Sequence, residues 1–174
     1  MVFCTGGAGT ICSAQVRALV HLGANACIVG RNVEKTERAA KEMATLRPGA
    51  KVIGIGAVDV RKFDSLKDAV ARCVKELGGI DFVMYGFPML LKFLQGLSAN
   101  HFYSAGAAGN FLASIEQLSV NAFKSVMDID VLGSYNTLKA TLPYLIESGK
   151  KHRVDSERKS SSGNYWMVIF NFYS

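Results

Sequence analysis

Four short apolar runs, "VFC", "ANACIVG", "KVIGIGAVDV" and "IDFVM", are separated by longer stretches with helical apolar spacing. Continuous apolar strands must be buried on both faces, and the stretches between them are long enough to be crossover helices. "SAQVRALVHLG" puts Val16, Leu19 and Val20 on one face and ends at Gly23; "NVEKTERAAKEMATL" and "DSLKDAVARCVKELGG" repeat the pattern, with Asp64 expected to cap the third helix. This alternation predicts an α/β, doubly wound parallel sheet of the Rossmann-like kind, with helices on both faces.

Composition removes several function classes. The chain of 174 residues is 49% apolar, which suits one globular domain with a sizeable core. Its net charge of +6 divides evenly: residues 1–149 hold 15 Lys/Arg against 12 Asp/Glu, and residues 150–174 hold five against two. The body therefore carries no basic stripe, and nucleic acid is not expected as a partner. The most apolar stretch, "FVMYGFPMLLKFLQGL", contains Pro88 and Lys92 and is too short to span a bilayer, so no membrane association is expected. Cys4, Cys12, Cys27 and Cys73 form no CxxC pair, so neither a metal site nor a disulfide framework is expected, in keeping with a reducing compartment.

The chemistry begins at "VFCTGGAGTIC". A strand, a glycine-rich turn and a helix N-terminus make the geometry that receives a pyrophosphate. The motif is imperfect, because the commonest dinucleotide fingerprint would want glycine where Cys12 stands. Taken alone, it also admits a plainer reading as a tight corner without a ligand. Two further positions favour the ligand. Arg31 follows the second strand, where an acidic residue would bind ribose hydroxyls and an arginine suits a 2′-phosphate. Asp59 is expected to close the third strand at the same carboxyl edge. Together these residues point to NADPH.

"TGGAGTIC" resembles the glycine turn of the short-chain dehydrogenase/reductase family, with Thr5 and Gly6 kept and Thr10 and Cys12 in later glycine places. "AGAAGNFLASIEQLSVNAFKSVMDIDVLGSYNT" is similar to the peroxisomal 2,4-dienoyl-CoA reductases, and "GGAGTIC" to fungal members. The resemblance covers residues 1–83 and 105–149. It implies that Gly6, Gly7, Gly9, Thr10 and Ile11 wrap the pyrophosphate, Arg31 meets the 2′-phosphate and Asp59 the adenine. It further implies that Arg61, Phe111, Ser119 and Asn121 contact a fatty acyl-CoA substrate. Asp130 takes the place where the wider family has an asparagine; in the reductases an aspartate there would work with a lysine to hold a proton-donating water, and the stretch after Gly149 supplies no counterpart of that lysine. The implied activity is NADPH-dependent reduction of a dienoyl-CoA to a 3-enoyl-CoA in fatty acid β-oxidation, within a peroxisomal homo-oligomer. Without the targeting tail the location would be cytoplasmic. The alternatives are another short-chain carbonyl or enoyl reductase, or an inactive nucleotide-binding fragment.

Each of these residues also has a plainer reading. Phe111 suits a core, Ser119 a helix N-cap, and Asp130 among apolar neighbours requires a partner. Tyr135-Asn-Thr-Leu-Lys139 has the spacing of the wider family's catalytic pair, but no strand or serine precedes it. A helix-surface pair is expected there instead.

Two stretches depart from the family pattern: the apolar insert 84–104 and the basic tail 150–174. The domain is therefore expected to cover residues 1–149 and to be incomplete on its C-terminal side. One expectation covers both departures, namely that they are translated introns. Back-translation permits donor-like sequence at Met84-Tyr85-Gly86 and at Gly149-Lys150, and sequencing the mature transcript decides it.

Overall fold

The computed structural model describes residues 1–85 and 116–156, the last five as backbone alone. Four parallel strands, β1 (Val2–Thr5), β2 (Ala26–Val29), β3 (Val52–Ile55) and β4 (Phe82–Tyr85), lie in the order β3-β2-β1-β4. Helices α1 (Thr10–His21), α2 (Val33–Ala44) and α3 (Phe63–Leu77) make the crossovers. After residue 116 come α4 (Val120–Met127), a π-helical turn (Asp128–Leu132) and α5 (Gly133–Ser156).

The pleat explains why the sheet is covered twice. Side chains alternate between faces along a strand. Val2, Cys4, Ala26 and Ile28 therefore pack with Cys12, Val16, Val20 and Met43 of α1 and α2. Phe3, Cys27 and Val29 point the other way, into a core closed by Leu66, Val70 and Cys73 of α3 and Ala140 of α5. Helices lie on both faces, and the sheet is doubly wound as its sequence predicts. All four cysteines are buried free thiols.

Several boundaries differ from the sequence reading. Helix α1 opens at Thr10, earlier than "SAQVRALVHLG" suggests. Asp64 does not cap α3: Lys62 takes the N-cap position in extended conformation (φ −104°, ψ 105°), and Asp64 falls inside the first turn. Asp59 does not close β3 either. The strand stops at Ile55, because Gly56 lies so close to α2 that a Cβ would sit 2.3 Å from the Val33 Cα, and Ala57 then turns into the left-handed region at φ 57°. Met84 and Tyr85, the first residues of the apolar insert, complete β4 opposite Cys4 and Thr5. The rest of that insert, from residue 86, lies outside the described residues, as do residues 157–174; residues 150–156 continue α5.

Candidate nucleotide and substrate site

The strands end level with one another. Thr5 pairs with Val29 and with Tyr85, and Val29 pairs with Ile55, so the carboxyl ends form one line across the sheet. Ligands of open parallel sheets bind outside this edge, and here the first three connections leave from it.

The first connection is the glycine turn. Gly6 adopts φ +65°, a conformation that suits a residue without a Cβ, and the Gly9 amide donates to the Gly6 carbonyl at 2.8 Å. Gly7 rests on β2: a Cβ there would lie 2.5 Å from that of Ile28. Gly9 is the N-cap of α1, and no side chain caps that end. The first-turn amides, including those of Thr10 and Ile11, thus face the edge with the positive end of the helix dipole behind them. Gly6 and Thr10 are exposed, whereas Cys12 beneath them is buried. Cys12 hydrogen-bonds with Cys4, which lowers the pKa of the Cys12 thiol and, together with burial, raises that of Cys4.

Arg31 lies between Gly30 at the end of β2 and Asn32, whose side chain caps α2 by accepting from the Lys35 amide at 2.8 Å. Its side chain is exposed at the same edge. Asp59 sits in the turn before α3, where its carboxylate accepts from Nε, Nη2 and the backbone amide of Arg61 at 2.6–3.1 Å. Arg61 is the main reason its carboxyl pKa falls to about 2, with Arg31 adding a smaller electrostatic contribution. The residue expected to meet adenine and one expected to meet substrate therefore form a single ion pair.

Asp130 is half-buried in the π-helical turn between α4 and α5, a backbone distortion frequent at functional sites. Ser119 caps α4 by accepting from the Ala122 amide at 3.1 Å, and Asn121 is exposed in the first turn of that helix. Phe111 lies outside the described residues. Tyr135 and Lys139 lie on the exposed flank of α5; the Lys139 amine stands 5.3 Å from the Phe63 ring centroid and 5.7 Å from that of Tyr135. They form a helix-surface pair, as expected.

Some groups at the site were not anticipated from sequence. Lys124 pairs with Asp128 at 2.7 Å, and the charge of Asp128 reaches Arg61. Buried Asn136 donates from Nδ2 to the Val60 carbonyl at 3.0 Å, between Asp59 and Arg61. The i, i+4 spacing of Lys124 and Asp128 was a readable signal; nothing in the sequence announces the Asn136 contact. Among the described residues no group of three or more His, Cys, Asp or Glu side chains is arranged to hold a metal, and no helix is long and apolar enough to cross a membrane.

The sequence and the fold have counterparts among known proteins. The chain is 47% identical, over 98% of its length, to the peroxisomal 2,4-dienoyl-CoA reductase SPS19 [(3E)-enoyl-CoA-producing] of Saccharomyces cerevisiae, covering 50% of that protein. It is 34% identical, over 80% of its length, to the peroxisomal 2,4-dienoyl-CoA reductase of Danio rerio, covering 39% of it. The chain thus spans half or less of these relatives. An alcohol dehydrogenase from Thermococcus sibiricus, solved in complex with 5-hydroxy-NADP, superposes with a TM-score of 0.66 at 26% identity, over 85% of this chain and 54% of that one. The family model described as short chain dehydrogenase matches residues 1–154, and the chain belongs to the short-chain dehydrogenase family.

Proposed function

We propose that the chain carries the nucleotide-binding part of an NADPH-dependent 2,4-dienoyl-CoA reductase that yields a (3E)-enoyl-CoA. The observation that carries this reading is that the uncapped N-terminus of α1, Arg31 and Asp59 follow β1, β2 and β3 in turn along one sheet edge, with the charge of Arg31 reaching Asp59. The likeness to the yeast reductase supports the choice of substrate, and the names of the relatives support a peroxisomal setting.

The residues present fit the cofactor. A Cβ on Gly9 would lie 3.0 Å from the Gly6 carbonyl, so glycine lets the turn close tightly ahead of first-turn amides that no side chain caps, and such amides suit an anion. Gly6, Gly7, Gly9, Thr10 and Ile11 would hold the pyrophosphate, Arg31 the 2′-phosphate and Asp59 the adenine amino group. The bound nicotinamide supplies a hydride. Asp130 would accept a hydrogen bond from the water that protonates the α carbon. Arg61, Ser119 and Asn121 line the acyl-CoA side, with the Ser119 hydroxyl already engaged in capping α4. A fixed proton donor and donors facing the developing enolate are what such a reduction requires.

Direct titration of the full chain with NADPH and with NADH tests the reading, followed by NADPH oxidation in the presence of a 2,4-dienoyl-CoA. Tighter binding of NADPH is the expected result. Failure to bind it, or equal affinity for both nucleotides, would overturn the assignment.

A further inference from the structure

Helix α5 touches the turn after β3 at successive points. At Gly133 there is no room for a side chain: a Cβ would lie 2.6 Å from Val60 Cγ2. One turn on, Asn136, only 6% exposed, donates to the Val60 carbonyl at 3.0 Å. At Lys139 the amine stands over Phe63, the first residue of α3. The segment held this way, Val60–Phe63, contains Arg61 and follows Asp59 directly. The helix that holds it begins where the π-helical turn carrying Asp130 ends.

Within the turn itself, Asp59 and Arg61 bond mainly to each other, with the Lys62 amide donating to the Asp59 carbonyl at 2.9 Å and the Asp59 amide to Ser65 Oγ at 3.3 Å. Those bonds fix the turn's internal shape and its seat on α3. The Asn136 bond reaches across 76 residues to α5 and fixes its position relative to Asp130. A buried amide is suited to this task, because leaving the Val60 carbonyl unmet would be unfavourable and alternative placements are disfavoured.

We propose that Asn136 is a positioning residue: through Val60 it sets the Asp59–Arg61 pair against the helix bearing Asp130, and so couples the nucleotide and acyl-CoA subsites. The assignment of those subsites rests on the function proposed above; the mechanical role of Asn136 does not.

The test uses the full chain and the variants Asn136→Ala and Asn136→Ser, with Thr141→Val as a control. Thr141 is buried as well, yet its hydroxyl bonds within α5, to the Thr137 carbonyl at 2.8 Å and the Leu138 carbonyl at 3.3 Å. Amide hydrogen exchange at Arg61 and Lys62 is expected to speed up by about tenfold in Asn136→Ala, to recover partly in Asn136→Ser, whose hydroxyl can still donate, and to stay unchanged in Thr141→Val. Affinity for NADPH and for a dienoyl-CoA should each fall by about tenfold in Asn136→Ala. In an Arg61→Ala background the acyl-CoA loss should largely vanish, a non-additivity that general destabilisation would not produce. Should Asn136→Ala fail to fold, Asn136→Ser gives the same comparison at smaller amplitude. Unchanged exchange at Arg61 and Lys62, or additive losses with Arg61→Ala, would overturn the proposal. A parent chain that binds neither ligand sinks the reductase reading instead, and the exchange comparison still decides the role of Asn136.

Discussion

Arg61 and Asp59 grip each other through two nearly parallel contacts, Nε to Oδ1 at 2.9 Å and Nη2 to Oδ2 at 2.6 Å, while the Arg61 amide donates to Oδ1 at 3.0 Å. Bidentate pairing of this kind fixes orientation as well as charge. Two residues expected to serve different ligands therefore move as one unit, so a change at either should be felt at both subsites.

The same pair sets an acid response. The Asp59 carboxyl lies at about 2, below its ordinary 3.8, chiefly because Arg61 donates to it. A depressed carboxylate stabilises the fold above its unfolded pKa, and that contribution fades as the pH falls through the folded value. The affected window therefore runs from 3.8 down to about 2. In Arg61→Ala the Asp59 titration midpoint, followed by carboxyl NMR, should rise toward the ordinary value. An unmoved midpoint would show that Arg61 is not the cause.

Gly6 and Gly7 should fail differently when replaced by alanine. At Gly7 the new methyl would press on Ile28 at 2.5 Å and push α1's turn off the sheet, which should destabilise by about 2 kcal/mol. At Gly6 nothing lies within 4 Å, and the cost is conformational, about 1 kcal/mol for holding φ +65° with a side chain. Urea unfolding of the two variants measures the difference. Equal losses would mean that the close contact with β2 is not what fixes the turn.

Nucleotide preference should follow Arg31. Its exposed guanidinium stands at the end of β2, and reversing its charge removes the partner for a 2′-phosphate while offering a carboxylate to ribose hydroxyls. Arg31→Glu should weaken NADPH by about a hundredfold and NADH little or not at all. Comparable loss of both nucleotides in calorimetric titrations would mean that Arg31 supports the fold and does not read the phosphate.

The doubly wound sheet was legible because each strand is an unbroken apolar run and each crossover carries a helical stripe; Phe3 and Cys4 could only point to opposite covered faces. The edge residues were legible in outline. Arg31 lies where expected, but Asp59 does not close β3, because close approach of Gly56 to Val33 and the left-handed Ala57 end the strand at Ile55. Both are packing facts with no local pattern. The π-helical turn around Asp130 was hidden for a related reason, since its residues read as ordinary helix. Asn136 was invisible because its partner is a backbone carbonyl far away in sequence, which no side-chain motif records.

Thiol reactivity should expose the layering beneath the nucleotide edge. Cys27 and Cys73 are wholly buried between the sheet and α3, with Cys27 held protonated by its hydrogen bond with Cys73 and by burial. Cys12 retains 5% exposure in the first turn of α1, and its hydrogen bond with Cys4 lowers its pKa. Thiolate fraction and access govern the rate of attack on a disulfide reagent. In the folded chain Cys12 should therefore react first, by about tenfold or more over Cys27 and Cys73, with mass mapping of labelled peptides as the readout. Saturating NADPH should slow that reaction, because the pyrophosphate would lie across the turn above Cys12. Labelling of Cys73 ahead of Cys12 would contradict the packing of α3 on the sheet. Labelling of Cys12 at a rate indifferent to NADPH, at concentrations where binding is independently seen, would place the nucleotide elsewhere on the edge.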